Sequence, residues 1–199
     1  MLLGAGAMLN DRSSALSLLQ TRRSGRPRDL VEPGPDSQQL REIVRIASRT
    51  PDHGKLAPWR FVHVARETRP AFAELLHRAF RTANPEPTKS ELEAVDRLAY
   101  QAPELIVAIS SPQRDHKIPV WEQELSCGAA CMNLLHAAHA MGFAGGWITG
   151  WPTYSEEVRR AFARDGETLA GFFYIGTPAH PLEERPRPAL DYVLSKWKP

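Results

Sequence analysis

The stretch PVWEQELSCGAACMNLLHAAHAMG, residues 119–142, is the longest helical pattern in the chain. Pro119 suits a helix start and Gly142 a helix stop. Between them Gly128, Ala129, Ala130, Ala137, Ala138 and Ala140 keep the helix surface shallow, so another backbone can approach it closely. So many small residues predict one long central helix, packed on most sides.

The flanking segments supply a sheet and further helices. Leu105–Ile109 is apolar and rich in β-branched residues, the pattern of a strand covered on both faces. Phe61–Ala65, Leu169–Ile175 and a short run ending at Trp147–Thr149 read as further strands. Residues 11–21 read as a first helix, and Asp36 caps a second with Leu40, Ile43, Val44 and Ala47 on one face. Thr68 opens another, Thr88-Lys89-Ser90-Glu91 is a capping box, and Ser155 caps a last short helix. Arg26–Pro35 reads as a loop, and the Pro-rich chain after Gly176 as a surface segment. The expected fold is α+β: a central mixed sheet flanked by helices, with one long central helix. Residues 1–10 read as a disordered N-terminal extension, and 11–199 as a single domain.

The composition is that of a soluble globular domain, with 42% apolar and 24% charged residues among 199. A net charge of +2 does not support nucleic-acid binding. No apolar run reaches the length of a membrane span. Residues 1–10 lack the basic start and apolar length of a signal peptide, so the expected location is cytoplasmic. Cys127 and Cys131 lie one helical turn apart and read as buried free thiols.

Several chemistries are disfavoured. Cys127, Cys131, His136 and His139 do not converge on one helix face, because His136 points roughly opposite the cysteines. No metal site is expected. There is no G-x-S-x-G elbow, no visible base for Cys127, no dinucleotide glycine fingerprint and no P-loop. What remains is Arg22-Arg23-Ser24 at the end of the first helix, two guanidiniums and a hydroxyl that form a fork for a phosphate. Arginines also suit any helix C-terminus, so a plain solvated end is the competing reading. Gly145-Gly146-Trp147 either lets a flat ligand approach the backbone beside an aromatic wall, or is a glycine turn into a strand with a core tryptophan. A polar loop, Thr50–Ala57, ends at Pro58-Trp59.

In order and spacing, these segments resemble the nitroreductase family of FMN-dependent oxidoreductases, over roughly residues 11–178. The segments are Arg22–Ser24, the loop to Pro58-Trp59, the helix from Trp121, Gly145–Trp147, and Gly171-Phe172-Phe173-Tyr174-Ile175-Gly176-Thr177-Pro178. Thr50-Pro51-Asp52-His53 and the run His116–Glu124 are similar to the small bacterial YdjA-like branch. The resemblance implies a homodimer with two FMN sites at its interface and a C-terminal segment lying across the partner. It places Arg22, Arg23 and Ser24 on the flavin phosphate and ribityl chain, with Arg49 from the same subunit. His53 would reach the flavin bound mainly by the other subunit, and Trp147, Ile148 and Thr149 would line the site. Lys55 stands where many members have asparagine, and Ala57 where they have glutamine, so ring-edge hydrogen bonds must be arranged differently, with Arg49 one candidate. Arg26 replaces a frequent lysine and keeps a cation there. The implied reaction is ping-pong: NAD(P)H as co-substrate reduces FMN, and a nitroaromatic, quinone or similar small acceptor takes the electrons. No side chain is required as nucleophile or base. The alternatives are an FMN enzyme of another redox reaction, such as dehalogenation or oxidation, and a flavin-binding protein for storage or sensing.

Overall fold

The computed structural model describes residues 8–199; the first seven residues of the expected N-terminal extension lie outside the described residues. The elements run α1 (Ala15–Thr21), β1 (Leu30–Val31), α2 (Ser37–Ala47), β2 (Trp59–His63), α3 (Arg69–Ala83), α4 (Lys89–Tyr100), β3 (Glu104–Ser110), α5 (Val120–Ala140), β4 (Ala144–Ile148), α6 (Trp151–Tyr154), α7 (Glu156–Phe162), β5 (Thr168–Pro178) and α8 (Leu190–Val193). The expected capping boxes form: Asp36 with Gln39, and Thr88 with Glu91. At α3 the Thr68 hydroxyl instead donates to Ala65 O (2.8 Å), and Pro70 in the first turn sets the start.

Strand β5 is the hub. It pairs with β3, with β4 and, through its last residues, with β1, while β2 lies outside β3. All four pairings are antiparallel, where a mixed sheet was expected. β5 also runs on to Pro178, because Leu30 and Val31 pair with Pro178 and Thr177. The strand therefore runs three residues past the expected Ile175 before the Pro-rich segment leaves the sheet. β2 begins two residues early, at Trp59, which pairs with Ser110.

Helices cover both faces of β3 and β5, which explains the unbroken apolar run at 105–109. Leu105, Val107, Ile109, Phe172 and Tyr174 pack toward α3, α4 and α7. Ile106, Ala108, Phe173 and Ile175 pack toward α2 and α5. Helix α5 differs from expectation. Cys127, Ala130, Cys131, Leu134 and Leu135 are buried, but Trp121 is 66% and Leu125 56% exposed, and a Cβ at Gly128 would meet nothing within 4 Å. One face of the central helix is thus apolar and bare.

A partly buried ion pair ties β2 to the turn before β5. Arg60 binds the Glu167 carboxylate through Nε (2.8 Å) and Nη2 (2.5 Å), and Ser111 Oγ and Arg164 N–H donate to the same carboxylate. The Arg60 hydrogen bond, foremost, holds the Glu167 pKa down to about 2. A depressed carboxylate stabilises the fold above its unfolded pKa of about 4.3, and that contribution is lost as pH falls toward 2. Glu167→Gln is expected to cost roughly 2 kcal/mol at pH 7, allowing for the exposure of Arg60. Urea titrations should show the gap between wild type and variant closing from pH 5 down to pH 2; a gap constant with pH would refute the assignment.

Candidate functional site

The fork sits between β4 and the C-terminal segment. Arg22 Nη1 donates to Ser24 Oγ (3.3 Å), so the two groups already share a space. Just behind them Gly25 N–H donates to Gly145 O (3.1 Å). A Cβ on Gly146 would stand 2.7 Å from Gly25 O, so glycine at 146 is what lets the fork's backbone lie on β4. The backbone approached by this glycine is the chain's own. The fork and Gly145–Thr149 are thereby brought together.

Asn10 clamps the fork from the other side. Its Oδ1 accepts from Arg23 N–H (2.7 Å) and its Nδ2 donates to Arg23 O (3.1 Å). The C-terminal segment completes the rim. Arg23 Nε donates to Glu183 O (2.6 Å), Arg26 pairs with the Glu183 carboxylate (2.8 Å), and Arg187 donates to Arg22 O (3.3 Å). Burial first, then Arg187 and Arg23, lowers the pKa of Arg22; burial, then Arg185 and Arg187, lowers that of Arg23. Asn10, Arg185 and Arg187 were missed in the sequence. The one local signal was the basic pair in Glu184-Arg185-Pro186-Arg187, which nothing nearby in the sequence connects to Arg22.

These like charges crowd together with Glu183 and Glu184 as their carboxylate partners. A donor set of guanidiniums and a hydroxyl suits a phosphate in both charge and fork geometry. A cavity of ≈ 220 Å³ lined by Arg23, Ser24, Gly25, Arg26 and Glu183 opens there. Beside it, burial followed by Arg22 lowers the pKa of His136 and takes that of His139 to about 4, so both are neutral at pH 7. His139 Nε2 accepts from Gly145 N–H (3.3 Å), which places its proton on Nδ1. The histidines serve the fork's surroundings, and no group of three potential ligands capable of holding a metal occurs among the described residues.

Trp147 is fixed rather than free. Its indole N–H donates to Ala170 O (2.9 Å), and its ring stacks on Phe173 with centroids 5.2 Å apart. The register shift where β3 meets β5 exposes that carbonyl. Gly171, at φ +141, is required beside it: a Cβ there would lie 2.4 Å from Trp147 Nε1. Ile148 is half-buried, while Thr149 is exposed at the strand's end.

The polar loop with His53 lies elsewhere. The loop after α2 carries Arg49, His53 and Lys55, all exposed. Gly54, Lys55 and Ala57 all have positive φ (88°, 58° and 47°). Asp52 holds this strained turn, its carboxylate accepting from Leu56 N–H (2.9 Å) and Ala57 N–H (2.8 Å). Asp52→Ala is expected to cost about 1–2 kcal/mol and to release the turn. Limited trypsin digestion should then cut after Lys55 several-fold faster; unchanged cleavage would show that Asp52 is not the clamp.

Loop and fork attach to opposite ends of α5. His53 bonds Glu122 near its start, whereas Arg22 acts on His136 and His139 near its end. Fourteen residues of helix separate Glu122 from His136, about 21 Å at about 1.5 Å per residue. Within one chain the structure does not bring His53 and the fork together, and Arg49 makes no side-chain hydrogen bond to either among the described residues.

Comparison with known proteins places this geometry. The family model described as Nitroreductase family matches residues 19–177. A curated relative, "Putative NAD(P)H nitroreductase YdjA" of Escherichia coli K12, is 39% identical over 168 residues, covering 82% of this chain and 88% of its own. Among solved structures, a nitroreductase-like family protein from Bacillus cereus superposes with a TM-score of 0.78 at 18% identity, covering 94% of this chain and 97% of its own. The FMN and NADPH-dependent nitroreductase NfnB from Sphigopyxis does so with a TM-score of 0.73 at 20% identity, covering 93% and 99%. The central helix, the fork on β4 and the matched span agree: the chain belongs to the nitroreductase family, in its YdjA-like branch.

Proposed function

We propose that the protein is an FMN-dependent NAD(P)H oxidoreductase that acts as a homodimer. The observation that carries this reading is the crowding of Arg22, Arg23, Arg185 and Arg187 against a glycine strand, a built receptor for a phosphate. The names of its relatives, an NAD(P)H nitroreductase and an FMN and NADPH-dependent one, support FMN as the phosphate-bearing group and NAD(P)H as co-substrate.

FMN, when bound, supplies hydride chemistry between nicotinamide and acceptor. The chain's residues bind and orient. Arg22, Arg23 and Ser24 hold the phosphate and ribityl chain, and Arg187 adds a further guanidinium. Gly145–Thr149 gives a flat wall, with Trp147 locked to Ala170 and Phe173. Arg49 is a cation for the ring edge, while Arg26 pairs with Glu183 beside the phosphate. Donor and acceptor use the same exposed face in turn, the ping-pong order. A nitroaromatic or a quinone fits an open site of this kind.

Two observations support the dimer. The His53 loop meets α5 at Glu122 and the fork lies by His136, positions about 21 Å apart along the helix, so a second chain would bring both to one ligand. The face of α5 with Trp121 and Leu125 is apolar and uncovered, as an obligate interface requires before association. The end of the chain offers Leu190, Tyr192, Val193, Leu194 and Trp197, all more than 60% exposed. A groove of ≈ 880 Å³ between α2 and the outer strand β2, with Leu40, Val44, Phe61 and Ile106 among polar and charged residues, supports a seat there for the partner's segment.

The test is direct. The purified protein should be yellow, elute as a dimer, and lose its flavin absorbance on anaerobic addition of NAD(P)H. A protein that stays colourless with added FMN would overturn the reading. Bound flavin that NAD(P)H does not bleach would make it a flavin-binding protein without reductase activity.

A further inference from the structure

Two motifs of the sequence meet at one side chain. His53, from the Thr50–His53 loop, bonds through Nδ1 to the carboxylate of Glu122, from the His116–Glu124 run, at 2.8 Å. The pair is not needed to hold the loop down. Ser126 Oγ already donates to Pro51 O (2.8 Å), Asn133 Nδ2 to Thr50 Oγ1 (2.7 Å), and Asp52 closes the turn from within. The helix start is itself fixed by buried Gln123, which donates to Ile118 O (2.9 Å) and to Gln113 O (3.1 Å) and accepts from Gln113 N–H (2.8 Å). A rigid mount therefore presents a histidine whose side chain is 65% exposed.

The choice of ring nitrogen is informative. Three histidines pair with carboxylates among the described residues. His63 bonds Glu104 and His77 bonds Asp96 through Nε2, as simple ties between neighbouring elements. His53 alone bonds through Nδ1, the inner nitrogen, which leaves the outer Nε2 without a partner among the described residues. A carboxylate on Nδ1 sets ring orientation and tautomer and leaves Nε2 to exchange a proton with whatever faces it.

We propose that His53 is the proton donor to the electron acceptor, and that Glu122 is its positioning residue. This rests on the oxidoreductase reading above. Reducing a nitro group to nitroso takes one hydride equivalent, originating in NAD(P)H, and one proton: R–NO2 + H− + H+ gives R–NO + H2O. The His53 Nε2–H bond breaks and an O–H bond forms on a nitro oxygen. The hydride equivalent ends as the second O–H bond on that oxygen, the N–O bond breaks and water leaves. Imidazolium becomes neutral imidazole, keeping its other proton on Nδ1 against Glu122, and is recharged from solvent. For a quinone the same proton ends on the second oxygen.

The experiment compares two acceptors on the FMN-saturated protein: a nitroaromatic, which needs a proton, and ferricyanide, which takes electrons and no proton. The ratio of nitroaromatic to ferricyanide turnover is expected to fall about tenfold or more in His53→Gln and about fivefold in Glu122→Ala. Glu122→Gln, which still accepts from Nδ1–H, should fall between wild type and Glu122→Ala. Independently, 15N spectra of the flavin-free protein above neutral pH should show His53 as the Nδ1–H tautomer, and a shift toward Nε2–H in Glu122→Ala. An unchanged ratio, or an Nε2–H tautomer in the wild type, overturns the proposal while leaving the flavoenzyme reading intact. A wild type that binds no FMN overturns both.

Discussion

Arg22→Ala should bind FMN at least about tenfold more weakly than the wild type. Among the described residues Arg22 donates to no carboxylate and has Ser24 Oγ as its side-chain partner, so its guanidinium is available to an anion. A hydrogen bond to a charged group contributes about 1.5–3 kcal/mol, and each 1.4 kcal/mol is about tenfold in affinity. Removing Arg22 also relieves its repulsion with Arg187 and Arg23, which helps to lower its own pKa. The flavin-free protein should therefore melt no lower than the wild type, which separates lost binding from lost folding. Arg22→Lys keeps a charge but loses the planar fork, and should fall between the two. Fluorescence-quenching titration of the flavin-free protein with FMN measures all three. An Arg22→Ala affinity within twofold of wild type would mean that the phosphate binds elsewhere.

Arg69→Met should destabilise the fold by about 3–5 kcal/mol. Arg69 is 3% exposed and has no carboxylate partner. Its guanidinium instead donates to three carbonyls: Val64 O (2.8 Å), Ala99 O (2.7 Å) and Pro103 O (3.3 Å). It thereby ties the end of β2, the last turn of α4 and the entry to β3 to the first turn of α3. Burial lowers its pKa, the cost of taking a cation out of water. Methionine keeps most of the apolar stem but orphans three buried acceptors, each costing about 1–3 kcal/mol. A loss of this size is a large part of a typical domain's total stability of about 5–15 kcal/mol. Urea denaturation of the flavin-free protein should show it as a midpoint shift without a change in slope. Arg69→Lys, which can reach one carbonyl but not three, should recover part of the loss. A cost under about 1 kcal/mol would show that these carbonyls find other partners.

Local signals in the chain translated well into local structure. Asp36 and Thr88 cap their helices because an N-cap side chain needs only a backbone N–H three residues on. The apolar run at 105–109 became a strand covered on both faces, because no polar residue in it would tolerate one wet face. Thr68 shows the limit: a good capping residue lost its hydroxyl to Ala65 O. Nothing local in the sequence marks Arg69 or Glu167, because their burial depends on partners up to 107 residues away.

The same distinction runs through the candidate site. Arg22-Arg23-Ser24, the Thr50–Ala57 loop and Gly145-Gly146-Trp147 were visible as segments, since each is contiguous. Asn10, Arg185 and Arg187 were not, because they join the fork across 13 to 165 residues of chain. The capped helices, the apolar strands and the chemical character of each segment are legible along the chain, because they follow from neighbours within a few residues. Packing between distant segments set the antiparallel pairing and the use of Gly146 to seat Gly25 on β4. It also decided that His53 and the fork occupy opposite ends of α5, leaving an apolar helix face uncovered. Those outcomes depend on which surfaces meet when the chain closes on itself, and periodicity along the chain carries no record of them.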